Sequence, residues 1–194
     1  MNSTVPDAHV ISYQATAASY LSHTGVETAV RSLAAGGLAI PTITIIGLDY
    51  VTRVRFRGLY SLADAALITT THRVWFDGLL EILQCDVGFF YDPTVGQFLV
   101  MGRLSRTIDA VTEVSDGDSL IAGLTTAGVA KDHAVTYQSR LRTGEFLVLV
   151  HGDVGEVMRG HKILGNTAPL RLKTHWATMD TLGNAVSLGP KCGN

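Results

Sequence analysis

Charge is scarce in this chain of 194 residues: Asp, Glu, Lys and Arg together make up 16 %, where about 25 % is usual. So few charges imply less solvated surface than an ordinary monomer shows, and part of that surface is expected to be buried between subunits. Lysine is the rarest of them, at Lys131, Lys162, Lys173 and Lys191 only. With a net charge of −2 and dispersed arginines, the chain lacks the basic stripe that nucleic acid requires. Cysteine is nearly absent: Cys85 lies mid-chain and Cys192 near the end. Two such distant thiols make neither a disulfide framework nor a metal pair, and a reducing, cytoplasmic location fits them. The first residues lack a basic start followed by an apolar stretch, so no secretory signal is expected.

Long apolar runs are missing too, although the mean hydropathy of +0.25 raises the question of a membrane. The best candidate for a span, residues 32–48, carries no charge but is 17 residues long, short of the 18 or more that a span wants. Gly36, Gly37 and Pro41 break it into a helix end and a strand.

Signatures of chemistry are equally sparse. No Gly-x-Ser-x-Gly elbow occurs, which removes the commonest hydrolase turn. Gly152, Gly155 and Gly160 lack the order of a dinucleotide loop, and Asp116 and Asp118 lack the rest of a calcium loop. An anion could still sit on the first N–H groups of the helix after Gly152, with Asp153 opposing it. The seven histidines include no i, i+4 pair, so no helical metal face is expected. His151 ends an apolar run, where an imidazole most often hydrogen-bonds a backbone carbonyl. Cys85, flanked by Ile82, Leu83 and Val87, reads as an inert core thiol. The expectation is therefore no catalytic residue, no metal and no cofactor, in a protein that is not an enzyme.

What is present is regular structure. Residues 146–151 are apolar with branched side chains and stop at Gly152, which predicts a fully buried strand. Asp153 is placed to cap a helix whose apolar positions Val154, Val157, Met158 and 161–164 recur at helical spacing. The same logic predicts a strand over 9–14, a helix over 24–35 closed by Gly36-Gly37, and a strand over 42–46. Helices are predicted over 119–124 and 133–142, and an edge strand over 170–175. Residues 58–117 are less regular, with a helical turn over 62–68 and a short helix over 74–83. Within them, 87–91 and 97–101 flank Asp92-Pro93-Thr94-Val95-Gly96, a hairpin signal. The predicted fold is α+β, an α/β sandwich with ferredoxin-like βαβ units and a partly β central insertion. Residues 1–57 plus 118–180 would form the core, 58–117 the insertion and 181–194 a tail.

Three segments carry a family resemblance: Thr42-Ile-Thr-Ile-Ile-Gly-Leu-Asp-Tyr50, Ala127-Gly-Val-Ala-Lys-Asp-His133 followed by Tyr137, and Gly144-Glu-Phe-Leu-Val-Leu-Val-His-Gly152 with Glu156-Val157. In order and separation they resemble the bacterial general-stress proteins of the heat-induced type. The resemblance spans about two thirds of the chain. It implies a small cytoplasmic α/β protein linked to stress by expression, with no chemistry attached. The chain departs from the family in the middle, where relatives carry a membrane-compatible stretch rich in small residues. Asp77, Glu81, Asp86, Asp92, Arg103 and Arg106 stand there instead, and several charges at roughly 2.5–3.5 kcal/mol each exclude insertion.

Two functions remain open from the residues, and scarce charge with no catalytic set favours the first. That one is a non-catalytic, stress-associated protein that works by homo-oligomerising or by binding a protein partner. The other is a small-molecule-binding regulatory module, its mouth at the His151 end or at Arg53, Arg55 and Arg57, which alternate along one face of a strand. The central aromatics, Trp75, Phe76, Phe89, Phe90, Tyr91 and Phe98, fit either an assembly surface or a second small core.

Overall fold

The residues of Phe146–His151 are buried without exception, and they divide between two faces. Phe146, Val148 and Val150 enter one apolar cluster, while Leu147 and Leu149 enter another. A strand buried on both faces needs cover above and below. The computed structural model, which describes residues 12–49, 56–71, 74–112, 119–179 and 185–187, supplies it with helices on each side.

In chain order the described residues form β1 (Ser12–Tyr20), α1 (His23–Ala35), β2 (Ile43–Leu48), β3 (Gly58–Tyr60), α2 (Leu62–Thr71) and α3 (Asp77–Leu83). Then come β4 (Val87–Asp92), β5 (Gly96–Gly102), α4 (Leu104–Thr112), α5 (Ser119–Thr126) and α6 (Lys131–Arg142). The chain continues through β6 (Phe146–His151), α7 (Val154–Gly165), β7 (Arg171–Met179) and β8 (Ala185–Ser187). The strands make one sheet in the order β3-β4-β5-β2-β6-β1-β7-β8, antiparallel at each neighbour. Helices α1, α2, α3 and α7 cover one face, with Val30, Leu33, Leu79 and Leu164 pointing into it. Helices α4, α5 and α6 cover the other, through Ile108, Leu120, Leu124 and Leu141. The fold is a mixed α+β sandwich of three layers.

Its organising unit is a pair of split crossovers. β1–α1–β2 brackets β6, and β6–α7–β7 brackets β1, so the four strands run β2-β6-β1-β7. With α1 and α7 on one face, that is the ferredoxin-like arrangement expected from the flanks. The local signals behind it hold. Ser22 caps α1 by accepting from the Gly25 N–H, and Asp153 Oδ1 caps α7 by accepting from Glu156 N at 2.8 Å. Each such cap contributes about 1 kcal/mol. Gly160 lets α7 approach β6, since a Cβ there would lie 2.9 Å from Val150.

Residues 58–117 do not sit beside this sheet as an insertion packed outside it. The open edge of β2 pairs with β5 from Thr44↔Gly102 to Leu48↔Phe98, and β4 and β3 extend the sheet further. The reason is periodicity: Phe98 and Val100 face one cluster, Leu99 and Met101 the other, so β5 is a two-sided core strand like β6. The aromatics follow the same rule. Phe76, Phe89, Phe90 and Phe98 are buried and Trp75 is half-buried, leaving Tyr91 exposed; they fill the two cores. Two expected boundaries also move. β7 lies between β1 and β8 rather than at an edge, and the first strand runs Ser12–Tyr20, with residues 9–11 outside the described ones. Of the expected tail, Ala185–Ser187 is strand β8.

The hairpin between β4 and β5 closes on a buried carboxylate. Asp92 is fully buried; its Oδ1 accepts from Thr94 N at 2.8 Å and Val95 N at 3.0 Å, and its Oδ2 from Gln138 Nε2 at 2.9 Å. Truncation strands the buried Gln138 amide together with the turn N–H groups. Asp92→Ala should therefore lower unfolding free energy by about 3 kcal/mol, and Asp92→Asn by less because one acceptor survives. Urea denaturation checks both.

Candidate functional site

The C-terminal ends of β5 and β6 and the N-terminal ends of β2 and β4 meet at one end of the sheet. There the covering helices part. α3 ends at Leu83 on one face and α4 begins at Leu104 on the other, leaving a cleft of about 360 Å³ between them. It is lined by Ile40 and Pro41 of the turn before β2, Ile43 at the start of β2, and Leu83, Gln84, Cys85 and Asp86 between α3 and β4. Gly102 at the end of β5 and Arg103, Ser105 and Arg106 at the start of α4 complete the lining. Its volume falls in the usual range for small-molecule sites, about 300–1,000 Å³.

Local structure builds each part. Pro41 sits in the first turn of a short 3₁₀ segment, Ile40–Thr42, which swings the chain into β2. Gln84 takes a left-handed backbone (φ 45°) that ends α3 and redirects the chain into β4. Gly102 has φ 97°, and a Cβ on it would run into the Ile43 carbonyl oxygen. Ser105 Oγ donates to Gly102 O at 2.7 Å, tying the start of α4 to the end of β5.

The polar groups of the cleft are unequal. Arg106 is committed to Asp86, with Nε 3.1 Å and Nη2 2.6 Å from the same oxygen, Oδ2. Arg103 is exposed and makes no hydrogen bond or ion pair among the described residues. Both guanidiniums stand at the positive end of α4, whose first turn carries no acidic residue, an arrangement that helix dipoles disfavour. Burial pushes the Cys85 thiol up to about 11, with Asp86 adding to the shift and a backbone hydrogen bond from Gly102 opposing it. At neutral pH the group is a protonated thiol. Its alkylation at pH 7.5 should run roughly 20-fold slower than that of an ordinary cysteine, after allowing for the greater nucleophilicity of a high-pKa thiolate. Peptide-resolved mass spectrometry measures this, and a rate that stops rising below pH 9 would contradict it.

His151 lies at the same end of the sheet, one strand beyond β2. It is buried, and its Nε2 hydrogen-bonds Thr44 Oγ1 at 3.1 Å rather than a backbone carbonyl. Burial, with Arg103 adding its repulsion, lowers its pKa from 6.5 to about 4. Arg53 and Arg55 lie outside the described residues; Arg57 is exposed just before β3, toward the opposite end of the sheet. Of the two mouths expected from the sequence, the structure brings the His151 end next to the cleft.

A second polar cluster lies between α6 and β7. Tyr137 OH hydrogen-bonds His175 Nε2 at 2.8 Å, and Lys173 Nζ donates to His133 Nε2 at 2.6 Å. Burial raises Tyr137 to about 12 and lowers His175 to about 4, the latter helped by His133 and Lys173 and opposed by Asp132. The gap beside Tyr137 and Arg140 is about 140 Å³ with no room for a water-sized sphere. Among the described residues no group of three or more His, Cys, Asp or Glu side chains could hold a metal ion. No described helix is long and apolar enough to cross a membrane.

The sequence reading missed Arg103 and Arg106 as site residues and treated them only as charges that oppose membrane insertion. The available signal was an Arg-x-x-Arg beginning directly after a strand-ending glycine, with no acidic residue in the following turn. No protein-family model, no curated protein and no solved structure matches this chain.

Proposed function

We propose that the protein is a non-catalytic, small-molecule-binding regulatory module whose site is the cleft between α3 and α4. The observation that carries the reading is the cleft itself: about 360 Å³, lined by the apolar Ile40, Pro41, Ile43 and Leu83 together with the polar Gln84, Asp86, Arg103, Ser105 and Arg106. That is the usual composition of a ligand site, a largely apolar pocket with a few convergent polar groups. Binding is favoured over catalysis because the one thiol in the cleft is held protonated and Ser105 is spent on a backbone carbonyl. The one carboxylate beside the thiol, Asp86, is paired with Arg106 and raises the thiol pKa, the opposite of the activation that nucleophilic chemistry needs.

The other reading, self-assembly, draws less support from the surface. Among the described residues the exposed large apolar side chains Leu21, Leu67, Tyr91, Val135, Val154, Met158, Leu170 and Trp176 are spread along the chain, and only Val154 and Met158 share an element. The shortage of charge has a simpler cause, two apolar clusters on either side of one wide sheet. A stress-linked role, as the resemblance implies, is compatible with a ligand-responsive module.

A thermal-shift screen of metabolites, followed by Cys85 alkylation in the presence of each hit, tests the proposal. A ligand at 100 times its dissociation constant stabilises by about 2.7 kcal/mol, a rise in Tm of roughly 5–10 °C for a chain of this size. True ligands should also shield Cys85. Hits that stabilise the protein yet leave Cys85 as reactive as before would overturn the cleft as the site.

A further inference from the structure

We infer that the ligand of this cleft is a small organic oxyanion, its head on Arg103 and its apolar body against Ile40, Pro41, Ile43 and Leu83. The inference rests on the cleft being the binding site. Three charged side chains line it, Asp86, Arg103 and Arg106, and they do not balance. Arg106 and Asp86 satisfy one another, which leaves the Arg103 guanidinium uncompensated. A guanidinium presents a planar fork of donors that matches a carboxylate or phosphate with two parallel hydrogen bonds. A cationic ligand would meet that charge unfavourably, and a wholly apolar one would leave the fork unused. The same lining carries the apolar side chains Ile40, Pro41, Ile43 and Leu83, so the site offers a greasy surface as well as a free cation. That combination selects an amphiphile rather than a bare inorganic ion.

Arg103 also acts on its neighbour. Its charge disfavours protonation of His151, so an anion seated on Arg103 relieves that repulsion while a neutral ligand does not.

The test is calorimetry on the full chain with three probes of one shape: benzoate, phenyl phosphate and neutral benzamide. Each is titrated into the native protein and into Arg103→Gln, whose exposed site leaves the fold intact, as an unchanged Tm would verify. The expected result is that at least one anion binds tenfold or more tighter than benzamide, and that Arg103→Gln removes this preference without weakening benzamide. Comparison of benzoate with phenyl phosphate tells a carboxylate head from a phosphomonoester. As a second readout, the NMR titration midpoint of His151 should rise with the preferred anion and not with benzamide. Equal binding of benzamide and the anions, an anion preference that survives Arg103→Gln, or no binding of any probe at millimolar concentration would overturn the oxyanion class. The cleft as a site stands or falls separately, on whether stabilising metabolites shield Cys85.

Discussion

Acidification from pH 7 to pH 4 is expected to remove several kcal/mol of stability from this protein. Two buried imidazoles set the effect. His151 and His175 each have a folded-state pKa of about 4 against an ordinary 6.5. The folded state therefore holds both neutral while the unfolded chain takes up protons as pH falls through 6.5. Their contribution is fully present above pH 6.5, falls away as the pH approaches 4, and amounts to about 3 kcal/mol per histidine at most. Against a total stability of roughly 5–15 kcal/mol for a domain of ordinary size, the pair is a large share. Between those limits the slope should approach 1.4 kcal/mol per pH unit for each histidine. Urea midpoints measured from pH 7.5 to 4 follow it, and His151→Gln should halve the slope. A midpoint independent of pH over that range would show that neither ring is buried as described.

Gly102→Ala should be the most damaging single-methyl change in the sheet. The residue needs φ 97° and its missing Cβ faces the Ile43 carbonyl oxygen, which belongs to the neighbouring strand. Backbone strain of about 1–2 kcal/mol adds to a displacement of β2 from β5, for a total loss of roughly 3–5 kcal/mol. Gly96 is the matched comparison. It has φ 92° at the start of the same strand, but nothing lies within 4 Å of where its Cβ would be. Gly96→Ala should cost only the backbone strain, about 1 kcal/mol. The difference between the two, read by urea denaturation, isolates the close approach of β2 and β5 beside the cleft. Equal losses would mean that Gly102 is needed for its conformation alone.

Local elements were legible in the chain for local reasons. The run 146–151, the capping Asp153 and the turn 92–96 each announce themselves within a few residues, and the structure has the strand, the helix and the hairpin there. The ferredoxin-like pairing of the flanks follows from two crossovers of suitable length. What stayed hidden depends on distance along the chain. Nothing in residues 97–101 says that they pair with 44–48 in preference to forming a separate layer. That choice is made by two-sided burial, which only the assembled sheet reveals. His151 meets Thr44 from 107 residues away, so its partner could not be read from its own neighbourhood. The cleft draws on three separate stretches, 40–43, 83–86 and 102–106, of which only the last carries a signal of its own, Arg103-x-x-Arg106. Arg53-x-Arg55-x-Arg57 attracted notice because it alternates, whereas Arg103 became a site residue only when Arg106 was seen to be taken by Asp86.

Amide chemical-shift mapping on ¹⁵N-labelled protein, with the most stabilising metabolite from the screen, tests the cleft most directly. The expected result is that the largest changes fall on residues 83–86 and 102–106, with the Tyr137–His175 cluster unmoved. Changes centred on α6 and β7, or spread through the sheet without a focus, would contradict the placement of the ligand between α3 and α4.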